Sequence, residues 1–221
     1  MRLDPRLSLA FNLYDECPLA ADIGTDHALL PIALLCSGRC DRMILTDISP
    51  DALANARAHL SAAGLTDRAE LRLGDGLQTI RESCGMISLL GLGGRTIAEI
   101  LTACPENLHG ANLLLSAHTD QPLVRQAVMD IGYHLVSETP VFDTGRYYVM
   151  MKALPGLEQL NPRQLRLGKK LFESSSPDLA PYLAHRIQVL EAKLSGLEKA
   201  LTRKETQIEE VEEDLAYLRT K

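Results

Sequence analysis

Short β-prone apolar runs alternate with longer helix-like segments from about residue 19 to residue 152, and this alternation limits the fold more than any other feature. Strands joined by crossover helices give this pattern, and such connections make neighbouring strands parallel. The clearest helix is predicted over 52–63, because Ser49-Pro50-Asp51 is a start signal and Gly64 a stop signal. The predicted parallel strands are 19–23, 43–47, 69–73, 86–90 and 112–116.

Two further β-prone runs, 133–138 and 146–152, are separated only by residues 139–145. Because so short a link cannot hold a crossover helix, these two strands should pair antiparallel. We therefore predict a doubly wound α/β fold, with a mostly parallel sheet of about seven strands that finishes in an antiparallel hairpin. By fold, this arrangement resembles the class I, Rossmann-like methyltransferases.

The composition changes to helix formers and charge after Leu154-Pro155-Gly156, which predicts a first domain over 1–154 and a helical domain over 155–221. In the second part, apolar residues recur at alternating steps of four and three, interrupted only at Lys204, which is the heptad pattern of a coiled-coil appendage. The stripe consists of Leu183, Ile187, Leu190, Leu194, Leu197, Leu201, Ile208, Val211, Leu215 and Leu218.

So narrow a stripe is not stable alone in water, and it must therefore pack on a second helix. Three partners are open: the segment 162–172, a fold-back within the stripe for which Ser195-Gly196 is a weak point, or another chain. The chain is accordingly expected to be a monomer or a homodimer through its helical tail. A plain spacer without a direct role is the remaining alternative for the tail.

The composition also restricts the class of function. A net charge of −6 argues against a protein that coats nucleic acid indiscriminately, although it leaves room for a local basic patch. No apolar stretch is long enough to cross a bilayer and the first residues lack the features of a signal peptide, so we expect a cytoplasmic protein without a membrane partner. The five cysteines include no CxxC pair, which favours reduced thiols over a metal site.

The leading candidate site follows the first predicted strand, in Asp22-Ile23-Gly24-Thr25-Asp26-His27-Ala28. Ligands bind at the carboxyl edge of open α/β sheets, where this segment lies. Gly24 lets the backbone turn sharply, and the helix that starts near Ala28 offers free N–H groups to an anion. Asp47 ends the second strand, where a carboxylate can accept hydrogen bonds from both hydroxyls of a ribose. Together these residues predict a nucleoside cofactor.

Two glycine-containing loops follow the third and fourth strands. In Leu73-Gly74-Asp75-Gly76-Leu77, the carboxylate of Asp75 is placed to meet the amine of an adenine, unless it only caps the helix near Leu77. Gly91-Leu92-Gly93-Gly94-Arg95 lacks the position and spacing of the dinucleotide fingerprint. We interpret it as a loop that lets the backbone pass close to the reactive end of the cofactor or to the substrate.

The run Ala21-Asp22-Ile23-Gly24-Thr25-Asp26-His27-Ala28-Leu29-Leu30-Pro31, the two glycine loops and the closing Asp143-Thr144-Gly145-Arg146-Tyr147-Tyr148 resemble the bacterial tRNA (adenine(22)-N(1))-methyltransferase family. The similarity spans roughly residues 3 to 152, and the helical tail looks like the coiled-coil appendage of that family. The resemblance implies methylation of N1 of an adenine in tRNA, with S-adenosyl-L-methionine as the cofactor.

The resemblance also implies roles for single residues. Asp26 matches the acidic residue proposed as catalytic in the family. Since N1 becomes cationic on methylation, a nearby carboxylate would stabilise that charge or accept the N6 proton; the structural alternative is that Asp26 caps the next helix. His27 is predicted to donate to the carboxylate of the cofactor, or else to be a loop histidine. The predicted cofactor site consists of Asp22, Ile23, Gly24, Thr25, His27, Asp47, Ile48, Asp75, Gly76, Gly91 and Gly93.

Predicted substrate contacts lie at the strand ends and in the tail. His118 either contacts the acceptor base or is a satisfied strand-end histidine. Four basic residues fall within eight positions of the tail, where they either grip phosphates or form a solvated face. Part of the tail must point away from RNA because of an acidic cluster, which consists of Glu209, Glu210, Glu212, Glu213 and Asp214. The predicted contacts are Arg95, His118, Arg163, Arg166, Lys169 and Lys170.

The chain departs from the family pattern at three places. Gly91-Leu92-Gly93-Gly94 replaces GMGG, Asp47 stands where the family favours Glu, and Ser116-Ala117-His118 stands where the family pattern resembles QPN. Because the last position contacts the acceptor base in many amino-directed methyltransferases, a methyltransferase with a different acceptor is a second hypothesis. A third hypothesis is a non-catalytic cofactor-binding or coiled-coil assembly protein. The intact set of Asp22, Gly24 and Asp47 gives no reason to favour it.

Overall fold

A seven-stranded sheet in the order β3-β2-β1-β4-β5-β7-β6 forms the centre of the computed structural model, which describes residues 3–200 and 204–221. All neighbouring pairs from β3 to β5 are parallel, whereas β7 is antiparallel to both β5 and β6. The predicted doubly wound sheet with a terminal hairpin is therefore confirmed. The strands are β1 Cys17–Ile23, β2 Cys40–Asp47, β3 Ala69–Leu73, β4 Met86–Leu92, β5 Asn112–Ala117, β6 Tyr133–Asp143 and β7 Arg146–Pro155.

Helices cover both faces of the sheet, because successive residues of each buried strand point to opposite sides. Helices α1, α2 and α3 pack on one apolar cluster, and α4 and α5 pack on the other. The helices are α1 Pro5–Leu13, α2 Leu29–Ser37, α3 Pro50–Ala62, α4 Gly94–Ala103, α5 Gln121–Asp130, α6 Pro162–Leu167, α7 Leu179–Glu198 and α8 Glu205–Leu218.

The predicted helix over 52–63 is present as α3, and its start is the one that the sequence indicates. The side chain of Ser49 accepts a hydrogen bond from the backbone N–H of Ala52, and Pro50 occupies the first turn. Helix α1 was not predicted. It is capped by Asp4, whose Oδ1 accepts from the backbone N–H of Leu7 at 2.6 Å.

The hairpin is longer than the sequence indicates. Strand β6 continues to Asp143, so the turn is only Thr144-Gly145, with φ of 46° and 82°. Two consecutive residues with positive φ match the twist of the flanking strands, which explains why residues predicted as a link extend the ladder instead. The expected antiparallel pairing is confirmed, with Asp143 opposite Arg146.

The tail folds back within its own apolar stripe. Leu190 of α7 packs with Val211, Leu215 and Leu218 of α8, and Leu167 of α6 joins the same cluster. The prediction that Ser195-Gly196 marks the fold-back is wrong, because α7 continues through it to Glu198. Leu201 lies outside the described residues.

The tail also contacts the sheet domain. Leu160, Leu171 and Tyr182 belong to the main apolar cluster beneath the sheet. The ring of Tyr147 on β7 lies 5.7 Å from that of Tyr182 and 5.3 Å from that of His185, both on α7. The boundary after residue 154 therefore stays a prediction, although β7 ends next to it at Pro155. Among the described residues, no helix is long and apolar enough to span a membrane.

Candidate functional site

A cavity of about 290 Å³ opens at the carboxyl edge of the sheet, between the ends of β1, β4 and β5. From β1 the sheet continues to β2 and β3 on one side, and to β4 and β5 on the other. The gap between β1 and β4 is therefore the switch point, where open α/β sheets bind ligands. The residues that line the cavity are Arg6, Leu7, Asp22, Gly24, Thr25, Asp26, His27, Ala28, Leu29, Leu30, Pro31, Leu90, Gly91 and His118.

Asp22 is a buried carboxylate at the floor of this cavity. Its Oδ1 accepts a hydrogen bond from the hydroxyl of Ser88 at 2.6 Å, and its Oδ2 accepts one from the hydroxyl of Thr25. Burial raises the pKa of the Asp22 carboxyl even though both hydrogen bonds act to lower it. Asp22 therefore holds the loop that follows β1 in place through its hydrogen bond from Thr25.

The loop after β1 turns at Gly24, whose φ is +79°. The backbone N–H groups of Gly24 and Thr25 both donate to the carbonyl of Thr46, at 2.8 and 3.1 Å, which ties the loop to β2. A Cβ on Gly24 would lie 3.1 Å from Cδ2 of Leu92, so the Leu that replaces the family's Met packs directly over this turn. Ile23 is buried in the apolar cluster and does not line the cavity.

Asp26 and His27 stand at the mouth of the cavity, and both side chains are more than half exposed. Nε2 of His27 lies 3.1 Å from Oδ2 of Asp26, and Nδ2 of Asn55 donates to the other oxygen at 3.4 Å. Helix α2 has Ala28 as its N-cap, with no side-chain cap bond, so the capping alternative for Asp26 is wrong. The carboxylate is instead held by two side chains and faces solvent.

The ends of β2 and β3 bring two more predicted residues together. The N–H of Gly74 donates to the carbonyl of Asp47 at 3.0 Å. Oδ1 of Asp47 accepts from the N–H of Ser49 at 2.7 Å, and the next residue, Ile48, is 73% exposed. An exposed apolar side chain beside a carboxylate suits a nucleoside, whose ribose needs an acceptor and whose base needs an apolar contact.

Asp75 and Gly76 line a second cavity of about 170 Å³ between the end of β3 and helix α4. The 3-10 turn that starts at Gly76 has no side-chain cap from Asp75, so the capping alternative is wrong here also. Gly76 has a φ of +53°, and a Cβ there would lie 2.8 Å from Cγ2 of Ile100. The carboxylate of Asp75 is thus left available to the cavity.

The end of β4 and the start of α4 are tightly packed. Gly91 has a φ of +77° and lines the first cavity, and Gly93 is the N-cap of α4. A Cβ on Gly94 would lie 2.4 Å from the carbonyl oxygen of Thr119, which explains the glycine there. Arg95 is exposed on the first turn of α4 and does not line the first cavity.

The end of β5 supplies His118, which is exposed and lines the first cavity. Its ring lies edge-on to that of Tyr148 on β7, with 5.5 Å between ring centroids. Sequence reasoning missed Arg6, which α1 carries into the cavity, and Tyr148, which holds it. The Asp4-Pro5 helix start was the available signal for α1, but nothing in the sequence indicates where that helix packs.

The four basic residues of the tail are paired with acids. Arg163 contacts Glu213 at 3.3 Å and Lys169 contacts Glu158 at 2.7 Å. Arg166 forms a two-pronged pair with Asp214, at 2.7 and 2.8 Å, and Lys170 contacts Glu173 at 2.9 Å. The structure does not bring these residues to the cavity, and their role in binding phosphates stays a prediction.

Comparison with known proteins shows the family to which this chain belongs. The sequence profile of the methyltransferase domain family matches residues 3–151. A curated relative, the tRNA (adenine(22)-N(1))-methyltransferase of Bacillus subtilis (strain 168), is 28% identical over 158 residues, which are 71% of this chain and 66% of the relative. The chain thus aligns with slightly less than two thirds of that relative's length.

Solved structures extend the likeness into the tail. The Streptococcus pneumoniae protein Sp1610 in complex with S-adenosyl-L-methionine superposes with a TM-score of 0.82 at 26% identity, over 95% of this chain and 98% of that one. The Bacillus subtilis m1A22 tRNA methyltransferase TrmK superposes with a TM-score of 0.87 at 22% identity, over 99% and 98% of the two chains. The shared fold therefore includes the C-terminal helices as well as the sheet domain.

Proposed function

The chain belongs to the methyltransferase domain family, and from this we propose that it transfers a methyl group from S-adenosyl-L-methionine to N1 of an adenine in tRNA, at position 22. The observation that carries the proposal is the convergence of Asp22, Gly24 and Asp26 on one cavity at the switch point of the sheet. The 28% identity with the Bacillus subtilis enzyme supports the choice of acceptor.

The cofactor fits the residues along β1, β2 and β3. Gly24 and Gly91 have no side chains where they line the first cavity, which leaves room for a ligand against the backbone. Asp47 uses Oδ1 within the protein, and its Oδ2 stays available for a ribose hydroxyl. Asp75 would meet the amine of the adenine, and the exposed Ile48 would contact the ring. When bound, S-adenosyl-L-methionine supplies a methyl group on a sulfonium, which needs little covalent help from the protein.

The protein's part in the reaction is to position the acceptor and to stabilise charge. N1 of adenine becomes positively charged as it is methylated, so a carboxylate near the N1 and N6 edge stabilises the product or accepts the N6 proton. We assign this role to Asp26, whose oxygens are oriented by His27 and Asn55. Closure of the cavity around a base that has been taken out of its stack would exclude water from the reacting atoms.

The partner proposed for the enzyme is tRNA, which implies a cytoplasmic location. We further propose that the chain acts as a monomer, since α8 covers the apolar stripe of α7 within the same chain. Light scattering at increasing protein concentration tests this. A constant mass of one chain is expected, and a mass of two chains would restore the homodimer alternative.

A second candidate function is methyl transfer to another acceptor. The observation that favours it is the position of His118, which lines the cavity at the end of β5. His118 belongs to the segment Ser116-Ala117-His118, which stands where the family pattern resembles QPN. An enzyme that methylates a small molecule or a protein would bind S-adenosylhomocysteine equally well and leave tRNA unmodified.

The test is methylation of unmodified tRNA with labelled cofactor, followed by nucleoside analysis. We expect 1-methyladenosine from the intact chain, loss of the product with a tRNA that carries G at position 22, and a fall of at least about a hundredfold with Asp26→Ala. Asp41→Ala is the matched control, because Asp41 is an exposed aspartate at the opposite edge of the sheet. S-adenosylhomocysteine binding without any tRNA methylation would reject the proposal in favour of another acceptor.

A further inference from the structure

Arg6 lines the first cavity on the side that faces away from β2 and β3. The proposed contacts of the cofactor's ribose and adenine, Asp47, Ile48 and Asp75, follow β2 and β3 on one side of β1. Arg6 comes from α1 and lies beside Gly91 at the end of β4, His118 directly after β5 and Tyr148 on β7, on the other side of β1. A group that meets Arg6 therefore lies across β1 from the proposed ribose and adenine contacts, on the side where an acceptor has room to enter.

The guanidinium of Arg6 is held in place without being neutralised. Its central carbon lies 5.3 Å from the ring centroid of Tyr148, within the range of a cation–π contact. Among the described residues, no carboxylate lies within salt-bridge distance of Arg6, whereas the tail arginines Arg163 and Arg166 are paired with acids. Tyr148 is itself buried and fixed edge-on by the ring of His118. A half-buried cation that is oriented but unpaired is a site for an anion.

The space in front of Arg6 exists because residue 91 is a glycine. A Cβ there would lie 3.2 Å from Nη1 of Arg6 and 3.5 Å from Nε2 of His118. Both nitrogens therefore converge on one point above the backbone of Gly91, inside the cavity that also contains Asp26. The planar guanidinium is suited to the oxygens of a phosphate, which it can contact with two parallel hydrogen bonds.

We propose that Arg6 binds a phosphate of the acceptor RNA next to the reacting nucleotide, with Tyr148 and His118 as its positioning residues. The inference rests on the proposed function, since it requires a nucleic-acid acceptor. A phosphate bound at the rim of the cavity would hold the RNA backbone in place while the adenine enters. The base would then reach the reacting atoms in one productive orientation. The other oxyanion that fits the same chemistry is the carboxylate of the cofactor, and the experiment separates the two.

The test compares wild type, Arg6→Met and Arg6→Lys in the full chain. Arg6→Met keeps the packing on Tyr148 and removes the charge, and Arg6→Lys restores a charge without the planar fork. Arg39→Met is the matched control, because Arg39 also stacks on an aromatic ring, that of Phe11 at 4.6 Å, but lies at the opposite edge of the sheet. Each variant is measured for tRNA binding by fluorescence anisotropy across salt concentrations, for S-adenosylhomocysteine binding by calorimetry, and for 1-methyladenosine formation.

With Arg6→Met we expect the Kd for tRNA to rise about tenfold and the slope of log K against log salt to become shallower by roughly 0.7 to 0.9, the value of one phosphate contact. The Kd for S-adenosylhomocysteine should stay within about twofold of wild type. Arg6→Lys should recover the slope, and Arg39→Met should change the melting temperature without changing the slope.

Three results would overturn the inference. A weaker Kd for S-adenosylhomocysteine with an unchanged tRNA slope would assign Arg6 to the cofactor's carboxylate. If neither the Kd for S-adenosylhomocysteine nor the tRNA salt slope changed, the role of Arg6 would be only to pack on Tyr148. A wild type that binds no tRNA would remove the inference together with the proposed function. A wild type that binds tRNA but forms no 1-methyladenosine would reject the proposed reaction, while the change in salt slope would still decide the role of Arg6.

Discussion

The guanidinium of Arg125 donates to a carboxylate oxygen of Glu138 over 2.7 Å, and the two side chains are 1% and 0% exposed. The same pair fastens the tail to the sheet domain. Arg125 also donates to the carbonyl of Leu165 at 2.7 Å, and the backbone N–H of Lys170 donates to the other oxygen of Glu138 at 2.9 Å. Helix α5, strand β6 and the chain around α6 are thus joined at one buried charge pair.

Glu138→Gln should therefore destabilise the protein by about 3 to 5 kcal/mol, because it leaves the buried guanidinium of Arg125 without its counter-charge. Urea unfolding at neutral pH measures the loss. The double variant Arg125→Met/Glu138→Leu removes both charges and should lose less than Glu138→Gln alone. A double variant that is less stable than the single one would contradict this account of the pair.

Asp22→Asn should change how stability depends on pH. Burial raises the pKa of Asp22 in the folded protein, whereas an unfolded Asp titrates near about 3.9. The folded state therefore binds more protons between these two values, and the wild type loses stability as pH rises through that window. The stability of Asp22→Asn relative to wild type should rise across the window and then stay constant. Urea unfolding of both proteins from acid to neutral pH checks this, and a difference that does not change with pH would contradict it.

Arg166 and Asp214 should be coupled energetically. Their two-pronged pair joins α6 to α8, and the side chain of Asp214 is 4% exposed. A double-mutant cycle with Arg166→Gln and Asp214→Asn is expected to give a coupling of about 1 to 3 kcal/mol.

The more exposed pair of Arg163 and Glu213 provides the comparison, with an expected coupling below about 1 kcal/mol. If Arg166→Gln weakened tRNA binding without any loss of stability, phosphate contact rather than docking of α8 would be its main role.

Gly76→Ala should weaken cofactor binding more than an equally strained substitution elsewhere. Its Cβ would lie 2.8 Å from Ile100 on α4, at the edge of the cavity that contains Asp75. Gly64→Ala is the matched control, because Gly64 also has a positive φ, +69°, but has nothing within 4 Å of the added carbon. Both variants should lose about 1 kcal/mol of stability from backbone strain. Calorimetry with S-adenosylhomocysteine should show a higher Kd only for Gly76→Ala.

The sequence predicts the sheet well because β1, β2, β4 and β5 are largely buried and therefore appear as short apolar runs. Strand β3 has the predicted bounds, and β1, β2, β4 and β5 extend each prediction by one to three residues at an end. The hairpin was underestimated because Pro140 and Asp143 disfavour strands in general, whereas here they lie in an edge strand that pairs on one side only. The fold-back of the tail was misplaced because Ser195-Gly196 costs an exposed helix too little to end it.

The cofactor half of the site was predictable, since its residues follow strands in sequence and parallel strands bring their carboxyl ends together. On the acceptor side, Asp26 and His118 were also predicted, but Arg6 and Tyr148 were not. Arg6 lies on a helix outside the alternating pattern, and Tyr148 is placed by the antiparallel return of β7 beyond the end of β5. Contacts of this kind depend on tertiary packing, for which a single sequence carries no periodic signal.

Tyr147 and Tyr148 are consecutive residues of β7, and they face opposite sides of the sheet. Tyr148 contacts His118 and Arg6 at the cavity, and Tyr147 contacts Tyr182 and His185 on α7. Inserting or deleting one residue in this strand would exchange the two sides, so that each ring would meet the other's neighbours. During evolution, insertions or deletions between the turn of this hairpin and these rings should therefore come in even numbers of residues. Whether an insertion is tolerated here depends on that number more than on which residues are inserted.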